Sequence, residues 1–420
     1  MRWIAPSLVL SSLLASSTAL TADWVHKQEL ELGYQSSMLT EDATFTRNRF
    51  YGTAKHRTSA FSTTSPTRWT FDVALRGWVE LGDWEQPEAE PDIRALSLSR
   101  ADDHTDIQLG FQQIAWGETF GFPIADIVNP RDLRDPYFFE MDWIRRANFT
   151  ANLQVMFENL RLQAVATPIP RNNILPERRS GFDPFPELLD GIRLAPQRNF
   201  PIDRWGQDGE YGGRVGYLFD FGLDVALLYL YHWNRTPVVE LRFENFQPVL
   251  VPIQERIHSA GLTFSKAFED WVLRGDTIVH FEEPLIDELL GPSDRITHVQ
   301  SVLGADVTTE TDWTFGGQVH YDHRDAAPQG SAPRDADRQW ISARIQKLLF
   351  DGDLEPQVFA FVGVDNSDRW VQPRIDWHVM DPWTVSLRAD FVWGTTDEDA
   401  GDLGFYDERH RVMLWTSLRL

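Results

Sequence analysis

The chain has 420 residues, no cysteine and a formal charge of −24. That acidity argues against nucleic acid as a partner, because phosphate binding needs clustered Lys and Arg. Acidic surface loops explain the charge as simple solubilisation. With a mean hydropathy of −0.35 and no long apolar run beyond the N-terminus, the chain is not a bundle of membrane helices. Its 17 tryptophans and 27 phenylalanines suit a transmembrane β-barrel, where aromatic side chains gather at both membrane–water interfaces. The lack of cysteine fits an oxidising compartment.

Residues 1–22 read as a secretory signal peptide. A basic Met1-Arg2 start precedes the apolar Ile4–Leu14, then small residues with cleavage after Ala19 or Ala22. The remainder, 23–420, reads as one domain. It is a series of segments of about ten residues that alternate apolar and polar side chains, the pattern of a strand with one apolar and one wet face. Trp69–Val79, Phe149–Phe157, Leu223–Trp233, Trp313–Tyr321, Val371–Val379 and Trp383–Trp393 show it most clearly. Aromatics cap the apolar faces, and the other faces carry Arg, Asp, Gln and His, as a wet lumen requires. Short turns such as Asp102-Asp103-His104 and Asp381-Pro382 alternate with long connections near 81–91, 116–144, 169–209, 234–254, 284–294, 323–337 and 396–408. Two connections fit less well: 57–66 is longer than the scheme wants, and 237–250 has strand character of its own. The fold class is therefore all-β: a transmembrane antiparallel up-and-down barrel of about 18 strands, or alternatively about 16, with the short turns periplasmic. The last strand, Arg411–Leu420, resembles the C-terminal signal read by the barrel-assembly machinery, although it ends in Leu420 rather than Phe.

The connection 116–144 is too long and too apolar for an ordinary loop, and reads as an ordered insert that faces the lumen as a constriction or plug. Its flanking elements carry a resemblance. Gln112-Gln113-Ile114-Ala115-Trp116-Gly117-Glu118, then Asn129-Pro130-Arg131-Asp132-Leu133-Arg134, resemble the Q-Q-x-x-W-G-E and N-P-x-D-L-R elements of a family of Gram-negative outer-membrane proteins of unknown function. Softer matches follow at Gly213–Tyr217, His258–Lys266 and Asp312–Gly317. The resemblance implies a large porin-like barrel and leaves the substrate open.

The candidate constriction and pore-lining residues are Trp116, Glu118, Asn129, Arg131, Asp132, Arg134, Arg145 and Arg146 of the insert. On the strands they are Asp72, Arg76, Arg374, Asp376, Arg388 and Asp390. The insert arginines are expected to face lumenal carboxylates such as Asp72 and Asp390, setting a transverse field across a pore; alternatively, they only pin the loop. Trp116-Gly117-Glu118 and Asn129-Pro130 also read as bulge and turn chemistry. The loop 169–209, read as extracellular, is rich in arginine (Arg171, Arg178, Arg179, Arg193, Arg198, Arg204). It is either a solvated loop or a patch for anionic solute or lipopolysaccharide phosphate. His320, Asp322, His323 and Asp325 form the one cluster that suggests a rim enzyme. The carboxylates Asp397, Glu398, Asp399 and Asp402 lack calcium-loop spacing. No nucleophile elbow, phosphate loop or zinc signature is present, so no catalytic residue, metal or cofactor is expected. The expected function is a channel in the outer membrane of a Gram-negative bacterium, passing a small hydrophobic or carboxylated solute. The alternatives are an outer-membrane enzyme with a rim site and a plugged structural barrel acting with a partner. Expected partners are outer-membrane lipid, lipopolysaccharide and the solute.

Overall fold

In the computed structural model of the protein the described residues are 22–41, 43, 45–62, 65–81, 88–137, 140–176, 182, 192–194, 207–235, 238–285, 294–325, 337–395 and 403–420. Of the signal-peptide reading of residues 1–22, residues 1–21 fall outside them, while Ala22 already pairs as strand with Ser62.

Strands dominate. They are β1 (Ala22–Leu39), β2 (Phe45–Ser62), β3 (Arg68–Glu80), β4 (Glu88–Ala101), β5 (Thr105–Gln112), β6 (Asn148–Phe157) and β7 (Leu160–Ile169). Next come β8 (Arg193–Leu194), β9 (Glu210–Leu218), β10 (Leu223–Trp233), β11 (Val238–Glu244), β12 (Gln247–Ile253), β13 (Arg256–Ala267) and β14 (Trp271–Leu285). The last are β15 (Asp294–Thr308), β16 (Trp313–Arg324), β17 (Asp337–Lys347), β18 (Leu354–Gly363), β19 (Arg369–Met380), β20 (Trp383–Trp393) and β21 (Arg411–Arg419). All but β8, β11 and β12 join one 18-stranded sheet. Each strand pairs antiparallel with the next, and β1 pairs with β21 over Glu31–Leu39, which closes the wall.

The barrel is inverted relative to a soluble protein. Leu98, Leu109, Val215, Leu227, Leu303, Val319, Ile341 and Leu387 point outward and are exposed. Gln35, Arg49, Thr53, Ser97, Asn152, Thr263, Asp276, Arg388 and Asp390 point inward and are buried. Period-two alternation delivers one set to each side. Tight connections (102–104, 158–159, 219–222, 268–270, 309–312, 381–382) lie at one end, and the strands ending at Glu80, Gln112, Ile169, Trp233 and Trp393 run out at the other, where the longer connections begin. Two readings of connections change. β2 continues to Ser62, so the connection there is only 63–67; its polar residues are a wet strand face, with Arg57 reaching Asp72 across to β3 at 2.5 Å. Residues 238–253 do form strand, but as the β11–β12 hairpin outside the wall, joined by β8 in a parallel pairing.

The connection between β5 and β6, residues 113–147, contains a single helical turn, α1 (Met141–Ile144). Its side chains and backbone touch Arg47 on β2, Arg94 on β4, Asp276 on β14, Phe361 on β18 and Arg411 on β21. A segment that meets opposite walls of a closed barrel lies inside it.

Candidate functional site in the lumen

The insert is anchored first by apolar packing. Ile114, Trp116, Ala125 and Val128 bury against Val165 of β7, Leu228 and Leu230 of β10, and Ile278 of β14. This explains why β10 is apolar on both faces: one meets lipid, the other meets the insert. A second cluster joins Tyr137 and Phe122 to Phe359, Trp370 and Val392, with Phe182 of the following loop meeting Tyr137 edge to face. The indole N–H of Trp116 donates to Gln163 at 2.9 Å.

Asn129 is a staple. Its Oδ1 accepts from the Ile114 N–H at 2.7 Å, and its Nδ2 donates to the carbonyls of Gln112 and Arg146 at 3.0 and 2.8 Å. One buried amide thus ties both ends of the insert together, supplying bonds a buried backbone would otherwise lack.

The insert arginines do not meet Asp72 or Asp390. Arg131 donates to the carbonyls of Pro123 and Asp126, Arg145 pairs with Asp126 at 2.6 Å, and Arg146 donates to the Asn172 carbonyl at 3.0 Å. Arg134 pairs with Asp132 at 2.6 Å and with Glu90 of β4 at 2.7 Å. Asp72 stands with Arg57, away from the other candidates, and Asp390 pairs with Arg411 at 2.7 Å. Of the two alternatives, these contacts support the second, in which the insert arginines pin the loop. Guanidinium groups locked by short-range pairing within a compact loop have no reach left to cross the lumen, and the long arginines of the wall cross it instead.

Arg47 of β2 and Arg411 of β21 pair with Asp135 at 3.1 and 2.5 Å. Arg374 of β19 and Arg388 of β20 share Glu140 at 2.9 and 3.0 Å, and Arg374 also holds Asp376 at 2.7 Å. Arg76 of β3 and Arg94 of β4 both donate to the Asp142 carbonyl. Arg214 of β9 holds Glu118 at 2.8 Å. Two wall carboxylates run the other way: Glu90 on Arg134, and Asp276, which accepts from the N–H groups of Glu118 and Thr119.

Charge shapes the insert's own titration. Burial raises the Asp135 carboxyl, but Arg411, Arg47 and Arg388 together outweigh it and hold it at about 2. Burial, reinforced by Arg171, pushes Arg146 down to about 10, so it stays cationic at neutral pH. Asp132 is likewise buried, yet Arg134 keeps it lowered.

Two voids flank α1. The outer one, toward the long-loop end, holds only about 20 Å³, close to one water, among Arg47, Arg49, Glu90, Asp92, Arg146 and Trp143. The inner one opens at the short-turn end with about 830 Å³, lined by Arg76, Arg94, Arg374, Asp376, Trp143 and Trp415 among others. Among the described residues, Trp143 is the one that borders both. A separate recess of about 470 Å³ lies beneath Glu118 and Phe120.

Sequence reasoning missed Arg47, Arg49, Arg94, Asp135, Glu140, Trp143 and Arg411. Arg47 and Arg49 sit two apart on the wet face of β2, a signal the alternation carries. The rim histidines do not assemble, because His320 and His323 are three apart and alternation sends them to opposite faces. His320 donates to or accepts from Ser342 at 3.0 Å, and His323 meets Asp337 at 2.8 Å. Asp322 serves His298 at 2.7 Å and Arg338 at 3.3 Å. Among the described residues no group of three or more His, Cys, Asp or Glu is placed to hold a metal. The carboxylates at 397–402 lie outside the described residues, as do most arginines of the 169–209 loop.

A closed antiparallel barrel, apolar outside, polar within and crossed by an inserted segment, defines an outer-membrane β-barrel of the porin-like type. The chain belongs to the family described as "Protein of unknown function (DUF1302)", whose profile matches residues 97–407 and so spans both elements noted above. No curated protein matches the chain. Among solved structures it is similar to Acinetobacter baumannii OccAB1, with a TM-score of 0.58 and 9% identity over 97% of this chain and 98% of that one. It is also similar to A. baumannii OccAB2, with a TM-score of 0.57 and 9% identity over 94% and 98%. Pseudomonas aeruginosa OpdK, solved with vanillate, gives a TM-score of 0.56 and 11% identity over 94% and 98%. At these identities the likeness is one of fold.

Proposed function

We propose that the protein is a passive channel of the Gram-negative outer membrane, selective for small organic anions such as carboxylates. The observation that carries this is a run of arginines on one side of the lumen: Arg47 and Arg49 line the small void, and Arg76, Arg94 and Arg374 line the large one, which Glu31, Asp353, Glu355, Asp376 and Asp381 line as well, while Arg388 pairs with Glu140. Guanidinium side chains bind carboxylates in a bidentate fork, and rings of such charge set the selectivity of anion pores. OpdK, whose barrel is similar, has been solved with vanillate, a carboxylate. The insert 116–144 is the constriction, and the roles assigned to Trp116, Glu118, Asn129, Arg131, Asp132, Arg134, Arg145 and Arg146 become those of holding it in place. The small outer void favours one second reading, a closed barrel that works with a partner.

Single-channel conductance of the refolded protein in planar bilayers under a salt gradient separates the two. A steady current with a reversal potential toward anions is the expected result. Silence from folded protein, or a cation-selective current, overturns it.

A further inference from the structure

Trp143 occupies an unusual seat. Its ring lies against the Arg76 guanidinium at 3.7 Å and near that of Arg49 at 5.5 Å. The edges of Tyr51 and Trp415 meet it at 4.8 and 5.2 Å, both close to perpendicular. Those two rings are fixed in turn: the Trp415 N–H donates to the Tyr51 hydroxyl at 2.7 Å, and that hydroxyl donates to Glu31 at 2.8 Å. Tyr51 itself stands where a Cβ on Gly33 would collide with its ring. The wall is therefore built around the indole, while the indole belongs to a one-turn helix in the insert and not to the wall.

We propose that Trp143 is the gate of this channel, latched by cation–π contact with Arg76 and Arg49, and that an anionic solute opens it by taking the Arg76 guanidinium. The proposal rests on the channel reading and adds the residue that controls it. Trp143 lines both voids, and on this reading its displacement joins them. Arg76 and Arg94 hold the backbone through the Asp142 carbonyl, and the ring itself is held weakly enough to exchange: a cation over an indole is worth about 0.5–2 kcal/mol, and a charge-assisted bond from a carboxylate to the same guanidinium is of similar or greater strength. A solute that carries a flat ring beside its carboxylate replaces both partners at once, presenting the carboxylate to Arg76 and the ring to Tyr51 and Trp415.

The test uses the full mature protein in planar bilayers. Trp143→Ala is expected to raise conductance severalfold, with Trp143→Phe in between, because phenyl keeps the bulk of a ring but a weaker face. Heat-modifiable gel migration checks that each variant holds its barrel. If the unaltered protein conducts and Trp143→Ala matches it, the gate is wrong and the channel stands. If both are silent while folded, the channel reading falls with it. Because the chain has no cysteine, Trp143→Cys supplies a single thiol. A sulfonated methanethiosulfonate added to either chamber is expected to reach it and reduce the current; failure to label from either side overturns the placement.

Discussion

Asp135 is the point at which the insert is clasped to the seam of the barrel. It is almost inaccessible, and Arg411 opposite it has no exposed side-chain surface. Removing one partner of such a pair leaves a buried charge uncompensated, at a cost of roughly 3–5 kcal/mol. Arg411→Ala is therefore expected to lower the unfolding midpoint in a denaturant titration and to make the current noisy. The pH response has a definite sign. The folded carboxyl is depressed, so its stabilisation is complete above the ordinary carboxyl range, about pH 4. It is lost as pH falls toward about 2. Conductance traces at pH 5 and 7 are expected to agree, with loosening only on acidification below about 4, and Asp135→Asn removes that step. An acid transition centred near neutrality would point to another group.

The insert as a unit is held by two apolar clusters and by wall arginines that converge on its acids and carbonyls. Deleting residues 118–140 removes Asp135 and Glu140 while leaving Arg47, Arg374, Arg388 and Arg411 in place. Conductance should rise, and the reversal potential should move further toward anions; a shift toward cations would show that the insert, not the wall, supplies the selective charge. Much of this unit was legible in the sequence. Its length and aromatic content marked 116–144, close to the observed 113–147, as ordered and inward. The partners were not legible. Which residues meet across a lumen depends on strand register around the whole wall, and a period-two pattern says only which side a residue faces. The doubly apolar β10 was a clue that something greasy lies within.

For the barrel as a body, alternation and connection length sufficed for the barrel class and its two unlike ends and narrowed the strand number to about 18 or 16, because lipid imposes the same rule on every strand. Where the rule relaxes, beyond the membrane, the reading weakened: the β11–β12 hairpin stands outside the wall and obeys no such constraint. Leu227 faces lipid at 59% exposure, so Leu227→Arg should destabilise the protein by about 2–4 kcal/mol near the bilayer midplane, measured by urea unfolding in lipid vesicles. A negligible change would place that face elsewhere. The pairing of wall arginines with acids of the insert has a further consequence. It makes an ion exchanger already loaded, with the polypeptide as its own tethered counter-ion. On the proposed reading, anions would cross by substitution at occupied sites rather than by filling vacant ones, and the protein would carry its own competitor for every solute that enters.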